Sequence, residues 1–238
     1  MNVLQKHKMM IIGLEFELRN LMEHFIQLAR QLNREIMIES RSPFDPVCPV
    51  NTPHPWQMLG CGNYAAVFSH PEHPAYVVKI YGRDEHGLLE EKKVYDRLGT
   101  HPGFSVCYYS EQRFLILKRI EGMTLYDCVH KGVKIPENVI YDIDEAVRHA
   151  KDKGLFPNDV HGKNVMISNN RGIIVDVSDF SRYETCRKWK DLRKAYFTFY
   201  KKTLYYFPIK IPYIVLNGVR IGYRYYRKLK ISKKQSLK

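Results

Sequence analysis

Asp159 and Asn164 stand five residues apart in a stretch punctuated by Gly154, Pro157 and Gly162, residue types that interrupt helix and strand and mark a loop. Two short apolar runs follow, Val165 to Ile167 and Ile173 to Val175, with Ser168-Asn169-Asn170-Arg171-Gly172 between them. Apolar runs flanking a polar turn predict a β-hairpin. Asp176 comes directly after the second run, 12 residues past Asn164, and Asp179 lies 15 past. One carboxylate can orient a hydroxyl and accept its proton, while an amide and a second carboxylate hold a magnesium ion on nucleotide phosphates. Together they can serve phosphoryl transfer. Asp-x4-Asn alone also describes an ordinary polar turn, so the elements around it must supply the rest.

Upstream, Gln57 to Phe68 contains Gly60-x-Gly62-x-x-Ala65-x-Val67. Glycines let a backbone bend tightly and approach phosphates, and the apolar flanks predict a hairpin. Ala75 to Tyr81 is a β-branched run with Lys79 inside it. A lysine in a buried strand is costly unless paired; on an edge strand it would face solvent. A partner is at hand in the helical pattern of Leu88, Leu89, Val94, Tyr95 and Leu98, which surrounds Glu90 and Glu91 and ends at Gly99. Phe104 to Tyr109 and Arg113 to Ile120 read as further strands. Thr124 is placed to cap a helix. Pro136 to Lys153 predicts another, with Val139, Ile140, Ile143, Ala146, Val147 and Ala150 on one face, which delivers the chain to the Asp159 loop. Helical patterns over 187–206 and 214–230 complete the chain, broken by Pro208 and Pro212.

At the other end, Leu14, Leu18, Leu21, Phe25, Leu28 and Leu32 form a seam of alternating four- and three-residue steps. It predicts a helix that packs on the main domain or dimerises, followed by a proline-rich linker from Pro43 to Pro55. The 238 residues leave room for one or two domains. The five cysteines, with no C-x-x-C pair, argue against a disulfide framework or a zinc site and fit a reducing cytosol. The first apolar run is too short for a signal peptide, and no run is long enough to span a bilayer. Charge is uneven. Residues 181–238 hold 17 Lys/Arg against 2 Asp/Glu, which leaves −2 for the preceding residues out of a total of +13, and nine of the 17 tyrosines lie in the same segment. Such a segment seeks a polyanion unless it is a solvated helical face with tyrosine anchors.

This order of motifs resembles the eukaryotic-type protein kinase superfamily, and within it the minimal bacterial members and the RIO-like and Bud32-like kinases. The resemblance covers Trp56 to about Tyr206. It implies an α+β, bilobal fold with a β-rich N-lobe over 51–121 and a reduced helical C-lobe over 122–230. An N-terminal helical extension over 1–50 would precede these lobes, and a disordered basic tail over 231–238 would follow. ATP would lie between the lobes. By resemblance, Gly60, Gly62 and Ala65 occupy the three glycine positions of the nucleotide-covering loop and Val67 covers the adenine. Lys79 pairs with the phosphates and with Glu91, with Glu90 as the alternative. Leu117 is the gatekeeper, and the hinge from Lys118 through Ile120 to Glu121 reads adenine through its backbone. Asp159 is the catalytic base, His161 stands where kinases usually carry lysine, and Asn164 and Asp176 hold Mg²⁺. Asp179 is the alternative ligand, since Asp179-Phe180-Ser181 looks like Asp-Phe-Gly. Asp191 would brace the catalytic loop.

The departures matter as well. Pro157-Asn158 replaces His-Arg, which removes the docking point for an activation-loop phosphate. Only 14 residues lie between Asp176 and Asp191, so there is no long activation loop or Ala-Pro-Glu. The resemblance implies an ATP-dependent serine/threonine kinase acting on a protein, itself included. The alternatives are a kinase for a small or lipid-linked hydroxyl and a nucleotide-binding scaffold without activity. It also implies a cytoplasmic location, with an anionic partner or the inner membrane face, rather than nucleic acid, meeting residues 181–238.

Overall fold

Strand alternation builds the first of the two units into which the chain divides, Met1–Thr100 with Ser105–Arg119. A computed structural model describes residues 3–40, 42, 45–184 and 186–235. In this unit α1 (Val3–Glu35) and the short strands β1 (Ile38–Glu39) and β2 (Cys48–Pro49) precede β3 (Gln57–Cys61), β4 (Ala65–Ser69) and β5 (Tyr76–Tyr81). Then come α2 (Glu85–Leu98), β6 (Cys107–Glu111) and β7 (Phe114–Lys118). The main sheet has the order β3-β4-β5-β7-β6, with every neighbour antiparallel.

Period-2 alternation gives the central strands two different faces. Ala66, Phe68, Val78, Ile80, Phe114 and Ile116 share one face and form a buried cluster with Phe25, Ile26, Ala29, Leu32 and Ile36 of α1. Ala65, Val67, Val77, Lys79, Tyr81, Leu115 and Leu117 share the other. Polar clamps hold α1 in place: Arg30 donates to Glu111 at 2.8 Å and to Tyr109 at 3.0 Å, and Arg113 to Asn33 at 2.8 Å.

Three expectations change here. The expected heptad seam gives way to a stripe of 3.6 period, because a helix lying on a sheet covers a broader surface than a coiled-coil partner does. Phe25 and Leu32 are buried and Leu28 is partly so, whereas Leu18 and Leu21 are exposed; the side chain of Leu14 lies outside the described residues. The proline-rich stretch is no free linker. β1 pairs with β2, and the buried Val47 donates its N–H to the Gly62 carbonyl at 2.8 Å. Cys48 and Cys61 form a disulfide with Cα atoms 5.7 Å apart. The two cysteines stand 13 positions apart in the chain, so spacing alone could not reveal the pair.

The second unit, His101–Phe104 with Ile120–Lys238, carries β8 (Met123–Thr124), α3 (Leu125–Lys131), α4 (Glu137–Asp152), β9 (Val165–Ser168) and β10 (Arg171–Ile174). α5 (Lys188–Thr198), a 3-10 turn at Tyr200–Lys202 and α6 (Tyr213–Gln235) follow. Thr124 caps α3 by accepting from the Asp127 N–H at 3.0 Å. β9 and β10 form the expected hairpin around a two-residue turn, Asn169-Asn170, both with positive φ, which asparagine tolerates best after glycine. α4 buries Val139, Ile140, Ile143, Ala146 and Ala150. Gly122 is obligatory, since a Cβ there would sit 2.1 Å from the Ile167 carbonyl where β8 meets β9. Phe104, expected to begin a strand of the sheet, instead bridges Ile174 in the second unit. α6 continues through residues 231–235, where the lysine run was expected to lack structure; 236–238 lie outside the described residues.

Candidate active site

Lys79 lies in the middle of β5, opposite Val67 on β4 and Leu115 on β7. It is 8% exposed, so its ammonium needs a partner, and α2 supplies one. Glu91, fully buried, meets Lys79 Nζ with both carboxylate oxygens at 2.8 Å and also accepts a hydrogen bond from the Tyr81 hydroxyl. Glu90 points elsewhere and pairs with Lys93 at 2.8 Å on the helix surface. A buried ion pair with a further hydrogen bond holds the lysine at a fixed height over the face that carries Ala65, Val67 and Leu117.

The turn between β3 and β4 is closed by Gly62 N–H donating to the Ala65 carbonyl at 2.9 Å. Neither Gly60 nor Gly62 has positive φ. A Cβ at Gly60 would meet nothing within 4 Å, and one at Gly62 only the Ala65 carbonyl at 3.9 Å. The fold makes no demand for glycine at these two positions, unlike Gly122; their bareness leaves room for something to approach the backbone. At the end of β7, Lys118 donates its N–H to Val106 and accepts from the Ser105 hydroxyl, and Arg119 donates to Ala75. Those N–H groups are committed within the protein. The Ile120 N–H has no protein acceptor among the described residues.

In the second unit, Asp159 has φ +56°, a left-handed conformation that few non-glycine residues adopt and that turns the loop sharply. Asn164 donates its amide N–H to the Asp159 carbonyl at 3.2 Å, which keeps its side-chain oxygen as an acceptor. Its backbone carbonyl accepts from Val175 at 3.0 Å, so the end of β10 and Asp176 are tied to the same loop. Asp176 accepts from Ser178 N–H at 3.2 Å. Asp179 pairs instead with Arg182 at 3.1 Å, and Asn158 fixes that turn by donating to the Asp179 and Arg182 carbonyls. Phe180 is buried edge-on against Phe104.

His161 accepts the Lys163 N–H on Nδ1 at 3.2 Å, so its proton belongs on Nε2, which lies 3.5 Å from the Asp159 carboxylate. Burial pushes its pKa below the usual histidine value, partly opposed by the nearby Asp176 carboxylate, so the ring is neutral at neutral pH. The cation at Asp159 is Lys188, the first residue of α5, which forms an ion pair with the carboxylate. Sequence reasoning missed Lys188. It is one lysine in a strongly basic segment, and nothing local distinguishes it. Asp191 does not brace the loop, because its carboxylate accepts from the Tyr223 hydroxyl of α6 at 2.9 Å. Burial, reinforced by that bond, pushes Tyr223 up to about 12.

Among the described residues no cluster of three or more His, Cys, Asp or Glu forms a ready metal cage. A carboxylate with an amide oxygen suits a hard divalent ion that takes its remaining ligands from phosphate and water.

No family model matches the sequence. The chain is 28% identical over 199 residues to the Bacillus subtilis (strain 168) protein named "Putative serine/threonine-protein kinase YrzF", covering 82% of this chain and 91% of that one. It is 25% identical to the mouse and human serine/threonine-protein kinases DCLK3 over 52% of its own length, which is 18% and 22% of theirs. The kinase domain of Mycobacterium tuberculosis PknI is similar at 18% identity and a TM-score of 0.42, covering 51% of this chain and 57% of that domain. A strand lysine ion-paired to a helix glutamate, and an Asp-x4-Asn loop followed by a hairpin and a carboxylate, accompany this similarity to proteins named as serine/threonine kinases.

Proposed function

We propose that the protein is an ATP-dependent serine/threonine protein kinase. The observation that carries this is the buried Lys79–Glu91 pair. Burying two charges is costly, and a pair that served stability alone could be replaced by apolar side chains. Its retention on the sheet face that carries Val67 and Leu117 suits a cation held ready for phosphate.

Magnesium-bound ATP supplies the transferable phosphoryl group and neutralises its charge. In this reading Lys79 holds the phosphates, the bare backbone at Gly60 and Gly62 covers them, and Ala65, Val67 and Leu117 pack against the base. Lys118 and Ile120 border the base, with the Ile120 N–H as donor. Asn164 and Asp176 offer the metal ligands. Asp159 orients the acceptor hydroxyl and takes its proton as the oxygen bonds to phosphorus and the bridging oxygen leaves with ADP. His161, neutral, shapes the Asp159 side of the site. Lys188 supplies the second cation, the part usually played by the lysine that His161 replaces. Catalysis is then positioning and electrostatics. The acceptor is a protein hydroxyl, this chain's own included, and the basic residues of 181–238 give the protein an anionic partner.

Transfer of ³²P from labelled ATP, measured on the protein itself and on a generic protein substrate, tests this. Wild type incorporates label and Asp159→Ala does not. Equal incorporation by the two would remove Asp159 from the mechanism.

A further inference from the structure

The amphipathic helix α6 faces the wrong way for a helix that merely completes a core. Its inward side is polar. Asn217 accepts from the Tyr126 hydroxyl at 2.9 Å, Tyr223 donates to Asp191, and Tyr213 donates to Asp127 at 2.8 Å while stacking on His130. Its outward side is apolar. At 100° per residue, Ile214, Val215, Val219, Ile221, Tyr225 and Tyr226 fall in one sector of about 160°. All six are exposed, Ile214 at 80%, Val219 at 67% and Tyr225 at 65%. The helix carries seven Lys/Arg and no Asp/Glu. A stripe this wide on a soluble surface marks an interaction site.

Charge decides what covers it. Two copies meeting through this face would set seven positive charges against seven, with no carboxylate on either helix to offset them. Nucleic acid would be met by basic side chains, but over 214–226 this sector holds aliphatic and tyrosine side chains with two glycines. A bilayer surface of anionic lipid satisfies both features: branched aliphatics enter the acyl boundary, tyrosines lie at headgroup level, and the net positive charge of the helix draws it to anionic headgroups. No helix among the described residues is long and apolar enough to cross a membrane, so the helix would lie in the plane. The geometry points to α6 as an in-plane anchor that docks the protein on anionic membrane surfaces through its outward apolar face.

Flotation of the full-length protein with vesicles tests this, using phosphatidylcholine alone or with about 30% phosphatidylglycerol. The expected result is co-flotation with the anionic vesicles only, weakened as salt rises. In the triple variant Ile214→Glu, Val219→Glu, Tyr225→Glu, partitioning falls at least about tenfold. The thermal melt stays nearly unchanged, because these side chains are mostly exposed. Absence of flotation with either vesicle overturns the proposal, as does unchanged flotation of the triple variant, which would leave charge alone as the cause. Loss of a concentration-dependent dimer in the variant, without lipid binding in the parent, would assign the face to a second copy and equally overturn it. The assay contains no nucleotide, so its outcome is independent of the kinase reading.

Discussion

Glu91 is fully buried, and its removal would take from the buried Lys79 ammonium the carboxylate that it meets at 2.8 Å. Glu91→Ala should therefore lower stability by about 3–5 kcal/mol in urea denaturation. The double variant Lys79→Met, Glu91→Leu should recover most of that loss, since neither charge is then stranded, while label transfer from ATP stays abolished in both. Recovery of stability without recovery of activity separates the chemical role of the pair from its structural one. Lys188 permits the converse experiment. It is partly exposed, and its pairing with Asp159 contributes little to folding, so Lys188→Ala should leave the melting temperature nearly unchanged. Catalytic turnover should fall about 10²-fold, the usual size for one lost electrostatic donor. His161→Lys in that background should restore part of it, because a cation is returned two residues from Asp159. Wild-type turnover in Lys188→Ala would make the ion pair incidental.

At the scale of elements, α1 and the sheet meet through a histidine cluster whose titration can be predicted. His70 and His73 are 3% and 4% exposed, His24 Nδ1 lies 3.1 Å from His73 Nε2, and Phe25, Trp56 and Tyr76 wall the site. Burial pushes the pKa of both His70 and His73 below the ordinary value. The other histidines reinforce this and Glu72 partly opposes it. In the unfolded chain these groups titrate near ~6.5. Above that pH neither state binds protons and stability is flat. As pH falls through it, the unfolded chain takes up protons that the folded one resists, so stability drops on acidification. The urea midpoint should be lower at pH 5.5 than at pH 7.5, and His70→Asn with His73→Asn should flatten the difference. The same elements show what was legible in advance. Strand, helix and hairpin order was readable because period-2 and period-3.6 patterns and turn residues are local. The α1 register was not, because the buried stripe is decided by the sheet that receives it. The Cys48–Cys61 pair, the Lys188–Asp159 contact and the Asp191–Tyr223 bond were not, because each joins residues whose partners are set by tertiary packing. Within the candidate site, Lys79 could be singled out because a charge amid apolar strand residues is conspicuous, whereas Glu91 was preferred to the adjacent Glu90 only by resemblance; one lysine among many basic residues is not conspicuous.

For the molecule as a whole, the segment between Asp176 and α5 decides how activity is controlled. It is short, and hydrogen bonds already hold its residues through Arg182. Asn158, 6% exposed, donates to the carbonyls of Asp179 and Arg182, Arg182 pairs with Asp179, and Phe180 is buried. A kinase that is switched by phosphorylation here needs a disordered segment to order and an arginine beside the catalytic aspartate to receive the phosphate. This chain has Pro157-Asn158 at that place, and the asparagine holds the segment through hydrogen bonds that carry no charge. Activity should therefore be constitutive. Protein treated with a broad-specificity phosphatase, then freed of it, should transfer label at a rate within about twofold of the untreated sample, since no charge-assisted contact is lost. Asn158→Ala should cost more than dephosphorylation does, because it removes two hydrogen bonds, to the Asp179 and Arg182 carbonyls, that hold the turn following Asp176. A phosphatase-treated protein that is inactive, and that regains activity only after incubation with ATP, would show that a phosphate-dependent switch operates through some other cationic site.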